Sequence, residues 1–88
     1  MAHMLARLRR VKAEDSKEVL RADAARHAEQ GLHLEHLWQN IDDPEEVLFL
    51  FRVDDLEQAK RFVEKVHAQA LNEDPRISIP QTTFLEER

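Results

Sequence analysis

The chain has 88 residues, 42% hydrophobic and 35% charged, with a net charge of −5 and no cysteine. A chain this short forms one domain and buries only about 60–65% of its unfolded surface, so it gains from a partner. The acidic balance argues against a nucleic-acid backbone as ligand, which needs clustered cations that release counterions. The lack of cysteine removes disulfides, thiolate metal sites and cysteine nucleophiles, and fits a cytoplasmic setting.

No run of eighteen apolar residues and no secretory leader is present, so neither a membrane span nor export is expected. Residues 4–87 read as the domain, with Met1 to His3 as an appended remnant outside the fold. The single glycine, Gly31, rules out the multi-glycine loops that cradle phosphates.

Met4 to Val11 reads as a strand, with Met4, Ala6 and Leu8 on one face. Arg7, Arg9, Arg10 and Lys12 form a short basic cluster, read as a charged strand end. Ser16 to Gln30 reads as a helix. Asp15 or Ser16 is placed to cap it, and Glu18 completes a capping box with Asp15. Val19, Leu20, Ala24, His27 and Ala28 form its expected buried stripe. Gly31 then suits a left-handed helix end.

Leu32 to Asn40 is the second strand, and Asp42-Asp43-Pro44 a turn. Val47 to Val53 is apolar on both faces, which places it at the centre of a sheet covered on both sides. Asp54-Asp55 caps a second helix striped by Leu56, Ala59, Phe62, Val63, Val66 and Ala70, ending before Pro75. Ile77 to Leu85 is the last strand, with Pro80 marking an edge or a bulge.

The order β-α-β-β-α-β gives an α+β, ferredoxin-like sandwich: an antiparallel sheet with two helices on one face. If Phe49 and Phe51 face the helices, Leu48 and Leu50 form an apolar patch on the other face. A second copy related by a two-fold axis covers such a patch self-complementarily.

The segment from Leu37 to Val47, with its Trp38-Gln39-Asn40 and Asp42-Asp43-Pro44, resembles the hairpin of the dimeric α/β-barrel superfamily. So does Asp54-Asp55-Leu56-Glu57-Gln58-Ala59. The nearest branch is the antibiotic-biosynthesis-monooxygenase-like and cyclase-like small proteins. The resemblance implies a homodimer whose two sheets pack into a barrel, and a pocket in each subunit between sheet and helices. No cofactor is expected. The glutamate and tryptophan that monooxygenase-like members tend to carry on the third strand are replaced by Phe51 and Val53. The asparagine, tryptophan and helix histidine of haem-degrading relatives are matched only loosely, since Trp38 and Asn40 fall on the second strand and His67 on the second helix.

Alternation places His36, Trp38 and Asn40 on one strand face, the best candidate constellation. There His36 is the candidate base, Trp38 and Phe51 are apolar walls, and Asn40 is a donor to a developing oxyanion. The alternative makes Trp38 a core or interface anchor and His36 its neighbour. Phe49 and Phe51 read as core that also walls a ligand pocket. RNA stacking on the pair lacks the basic company it needs. His27, on the helix stripe, reads as a core histidine or a pocket lining. His33 and His36, three apart on a strand, point to opposite faces, so no metal site is expected. The expected activity is binding of a small apolar or aromatic molecule, with or without cofactor-free monooxygenase- or cyclase-like chemistry. The alternative is a fully packed, non-catalytic interaction module.

Overall fold

The computed structural model describes residues 1–88. Four strands, β1 (Ala2–Arg9), β2 (Leu32–Gln39), β3 (Glu46–Val53) and β4 (Gln81–Glu86), form one antiparallel sheet in the order β2-β3-β1-β4. Three helices, α1 (Ala13–Ala22), α2 (Ala24–Glu29) and α3 (Leu56–Glu73), complete the chain. This is the expected ferredoxin-like α+β fold, with the first helix broken in two. No helix is long and apolar enough to cross a membrane.

Strand β3 sits inside the sheet, paired on one side with β1 and on the other with β2. Its odd residues, Val47, Phe49, Phe51 and Val53, are buried with Met4, Ala6, Leu20, Leu32, Ala59 and Val63 in the core. Its even residues Leu48, Leu50 and Arg52 lie half-buried on the opposite, uncovered face. The expected orientation of the two phenylalanines holds, but within one chain β3 is covered on one side alone.

Several local expectations are corrected. Strand β1 begins earlier: Ala2 pairs with Val53 and Glu86, and His3 with Arg52 and Leu85, so residues 2 and 3 belong to the sheet. The strand stops at Arg9 because Arg10 turns left-handed, with φ of 64°. Helix α1 starts at Ala13, with Lys12 in the capping place and no side-chain cap, so the box built on Asp15 does not form. The helix breaks at Asp23, whose φ of −94° and ψ of 3° leave the α region. Aspartate is a weak helix former, and small alanines on either side offer little packing to hold the line straight. Of the expected stripe only Leu20 is buried; Ala24 and Ala28 are exposed. Strand β4 begins after Pro80, at Gln81, not at Ile77.

Helix α3 behaves as expected. Asp55 caps it by accepting from the amide of Gln58 at 3.1 Å, and it ends at Glu73, before Pro75. Gly31 follows α2 with φ of +74°, and its carbonyl accepts from the amide of Asp54 at 2.9 Å. A Cβ there would stand 3.4 Å from the Asp54 Cβ. Left-handed backbone costs an ordinary residue about 1–2 kcal/mol. Gly31→Ala is therefore expected to lower stability by about that amount, measured by urea unfolding. Unchanged stability would show that the turn relaxes.

Candidate functional site

Strand β2 decides which residues share a site. Its register with β3 shifts between Leu34, opposite Phe51, and His36, opposite Leu50. Glu35 is the extra residue of a β-bulge, which flips the alternation. Leu32, Leu34 and Leu37 thus lie opposite Val53, Phe51 and Phe49 on the helix side, and His33, His36 and Trp38 lie opposite Arg52, Leu50 and Leu48 on the open side. The bulge puts His33 and His36 on the same face and not, as straight alternation had it, on opposite ones.

On the open face His36 and Trp38 stack, with ring centroids 5.0 Å apart and planes 15° apart. Asn40 joins them at the hairpin end, but its amide is spoken for. Its Nδ2 donates to Glu46 Oε1 at 2.9 Å, and its Oδ1 accepts from the amide of Asp42 at 2.9 Å. Arg9 Nε donates to the other Glu46 oxygen at 2.8 Å. These bonds, Asn40 first and Arg9 next, hold the Glu46 carboxyl below its ordinary pKa. Asn40 is thus a hairpin fastener and not a free oxyanion donor.

On the helix side a cleft of about 540 Å3 opens between the sheet and all three helices. Met4, Leu8, Leu32, Phe49 and Phe51 form its floor. Val19 and Leu20 of α1 and Phe62, Val63 and Val66 of α3 form its walls. Its size falls within the range of small-molecule pockets. His27 enters it from α2, edge-on to Phe51 at 5.4 Å and to Phe62 at 6.1 Å. Burial lowers the His27 pKa; Asp23 raises it somewhat and Arg26 lowers it. The imidazole is therefore neutral near pH 7, with a lone pair for a substrate proton. His67, on α3, is also lowered by burial but does not line the cleft.

The expected constellation is thus divided. Phe49, Phe51 and His27 meet in the cleft. His36, Trp38 and Asn40 lie across the sheet from them, so Phe51 cannot wall a site based on His36. Among the cleft residues missed are Ser16 and Asp23. The signal was present: Ser16, Leu20, Asp23 and His27 recur at steps of four, three and four. No group of three or more histidine, aspartate or glutamate side chains is placed to hold a metal ion.

No family model matches the chain, and no curated protein matches it in sequence. Solved structures do. One, provisionally assigned as an antibiotic biosynthesis monooxygenase of Deinococcus radiodurans, matches with a TM-score of 0.65 at 16% identity, over 100% of this chain and 93% of that one. A single-residue variant of SnoaB, a cofactor-independent oxygenase of Streptomyces nogalater, matches at 0.66 with 18% identity, over 99% and 92%. An uncharacterised NIPSNAP domain protein of Burkholderia xenovorans matches at 0.57 with 18% identity, over 100% and 95%. The fold is that of the antibiotic-biosynthesis-monooxygenase-like proteins. At these identities the likeness is one of architecture.

The neutral His27 has a consequence for stability. Unfolding releases it to its ordinary pKa of 6.5, so the unfolded chain binds more protons than the folded one below that pH. Stability then rises with pH across the interval between the lowered pKa and 6.5. His67 adds a contribution of the same sign. Urea midpoints measured from pH 7.5 down to 5 should fall as pH falls, and His27→Gln should flatten part of that fall. An unaltered slope in the variant would contradict the burial of this imidazole.

Proposed function

We propose that the protein binds a small apolar or aromatic molecule in the helix-side cleft and that His27 acts there as general base. The observation that carries this reading is the neutral imidazole held between Phe51 and Phe62 inside an apolar cleft of about 540 Å3. Proton removal beside a carbonyl leaves a substrate carbanion. Its own electrons can reduce O2 without flavin or metal, which is the logic of a cofactor-free oxygenase. The same carbanion gives an isomerisation if reprotonated elsewhere, or a cyclisation if it attacks an internal carbonyl. The fold shared with a cofactor-independent oxygenase supports this class of chemistry. The open cleft favours it over a fully packed interaction module. The proposed setting is the cytoplasm, which a chain without cysteine suits.

The partner proposed is a second copy, seated on the open sheet face. Leu5, Leu48 and Leu50 are half-buried there, and Trp38 and Leu85 remain 47% and 43% exposed. Polar groups rim this centre. His3 pairs with Glu35 at 3.1 Å and His33 with Asp54 at 2.7 Å toward one end, and Arg9 with Glu46 toward the other. An apolar centre within a polar rim is the anatomy of a protein interface. On this reading the His36–Trp38 stack is an interface anchor.

Two experiments test these statements. The first follows solvent deuterium exchange into 2-tetralone, an aromatic ketone with an activated C–H. The protein should accelerate it, and His27→Ala should remove about a hundredfold or more of the acceleration. His36→Ala should leave it within about twofold. No loss in the His27 variant would sink the assignment of the base. The second is native mass spectrometry. The wild type should be a dimer and Leu50→Lys a monomer; a monomeric wild type at micromolar concentration would refute the interface.

A further inference from the structure

The N-terminus of α1 lies on the rim of the same cleft, and it is unfinished. Lys12 occupies the capping place in an extended conformation, and its side chain caps nothing. The amides of Ala13, Glu14 and Asp15 make no hydrogen bond, and the first amide bonded within the turn is that of Ser16, donating to the Lys12 carbonyl at 3.1 Å. Helix α3 is finished differently, by the Asp55 carboxylate. Free amides at a helix start carry the positive end of the helix dipole and present a ready anion site.

An independent feature points to the same place. Ser16 is 8% exposed, lines the cleft, and its hydroxyl has no partner in the protein. No buried side-chain nitrogen or oxygen in the protein lacks a partner, so this hydroxyl keeps its access to the cleft and is free to bond what enters it. Serine here also breaks the apolar stripe on which Leu20 sits four residues later. Two cations stand at the rim, Arg10 and Lys12, and neither forms an ion pair. Arg10 is held there by a left-handed turn, φ 64°, that a residue with a side chain adopts at a cost. Asp15 and Glu45 share the rim. All four charges are exposed and offset one another in water, so the uncommitted groups within the cleft mouth are neutral donors.

We infer that this end of the cleft is a carboxylate subsite: the free amides of α1 and the Ser16 hydroxyl receive an ionised carboxylate, with Arg10 and Lys12 flanking it, while the apolar body of the ligand lies along Phe49, Phe51 and Phe62. The ligand class is an aromatic or alicyclic acid. The inference rests on the reading of the cleft as a ligand site and adds the polar end of that ligand.

The test uses two probes of one shape, 2-naphthoate and neutral 2-naphthamide, titrated into the full chain and followed by amide NMR. Naphthoate should bind about tenfold more tightly than naphthamide, as charge-assisted bonds to a helix start require. It should move the Ala13, Glu14 and Asp15 amides downfield. Ser16→Ala and Lys12→Asp should each cut naphthoate affinity about fivefold or more and leave naphthamide within about twofold. The aspartate would cap the helix itself and occupy the site. Both variants favour the helix, so folding is preserved. Equal binding of the two probes, with shifts confined to the Phe51, Phe62 and His27 region, would overturn the subsite and leave the cleft standing. No binding of either probe in the cleft would overturn both.

Discussion

Strand β3 carries apolar side chains on both faces, and one chain supplies helices for only one of them. Phe49 and Phe51 go to the helices, so Leu48 and Leu50 must stand on the uncovered side. No rotation of the strand avoids this, because a shift of one residue exchanges the two sets and leaves an equally apolar row outside. The helix side is committed to a small core and a cleft. The open side is committed to an apolar centre framed by ion pairs. The proposed division of labour, ligand on one face and second copy on the other, follows from that strand.

The same alternation explains how far the sequence could be read. The α+β class and the order of strands were legible because hydrophobic periods switch clearly between two and 3.6, and because Gly31, Asp55 and Pro75 punctuate them. The face of β2 was not. Its residues Leu32 to Trp38 are mixed on both faces, since the bulge at Glu35 splices two alternations of opposite phase. A bulge has no signature where neither phase is cleanly apolar. Reading straight alternation through it still grouped His36 with Trp38 correctly, because both lie beyond the bulge. It failed on Phe51, because the partner strand had to be placed first.

The first helix taught a different lesson. Searching for a stripe of apolar residues selected Val19, Leu20 and His27, which line the cleft, but also Ala24 and Ala28, which the fold leaves exposed. The residues that face the cleft inside its rim are Ser16, Val19, Leu20, Asp23 and His27, a set in which polar residues outnumber apolar ones three to two. A helix that covers a closed core must be apolar on its inner side. One that lines an open cleft need not be, and its polar inner residues are compatible with the proposed ligand site. The break at Asp23 belongs to the same design, since α2 leaves the line of α1 just before His27 enters between Phe51 and Phe62.

Small size connects the two faces energetically. Ten buried apolar residues make the core, and an 88-residue domain has little stability to spare. An apolar cleft within the fold and a helix start without a side-chain cap each forgo stabilisation that ordinary substitutions would supply. Whatever binds only the folded state returns it by mass action. A second copy on the open face and an acid in the cleft both qualify, and they act on opposite sides of the same strands β1 and β3. Each should then raise the folded population available to the other. The proposed dimer and ligand would in that sense be coupled through folding alone, with no change of shape passing across the sheet.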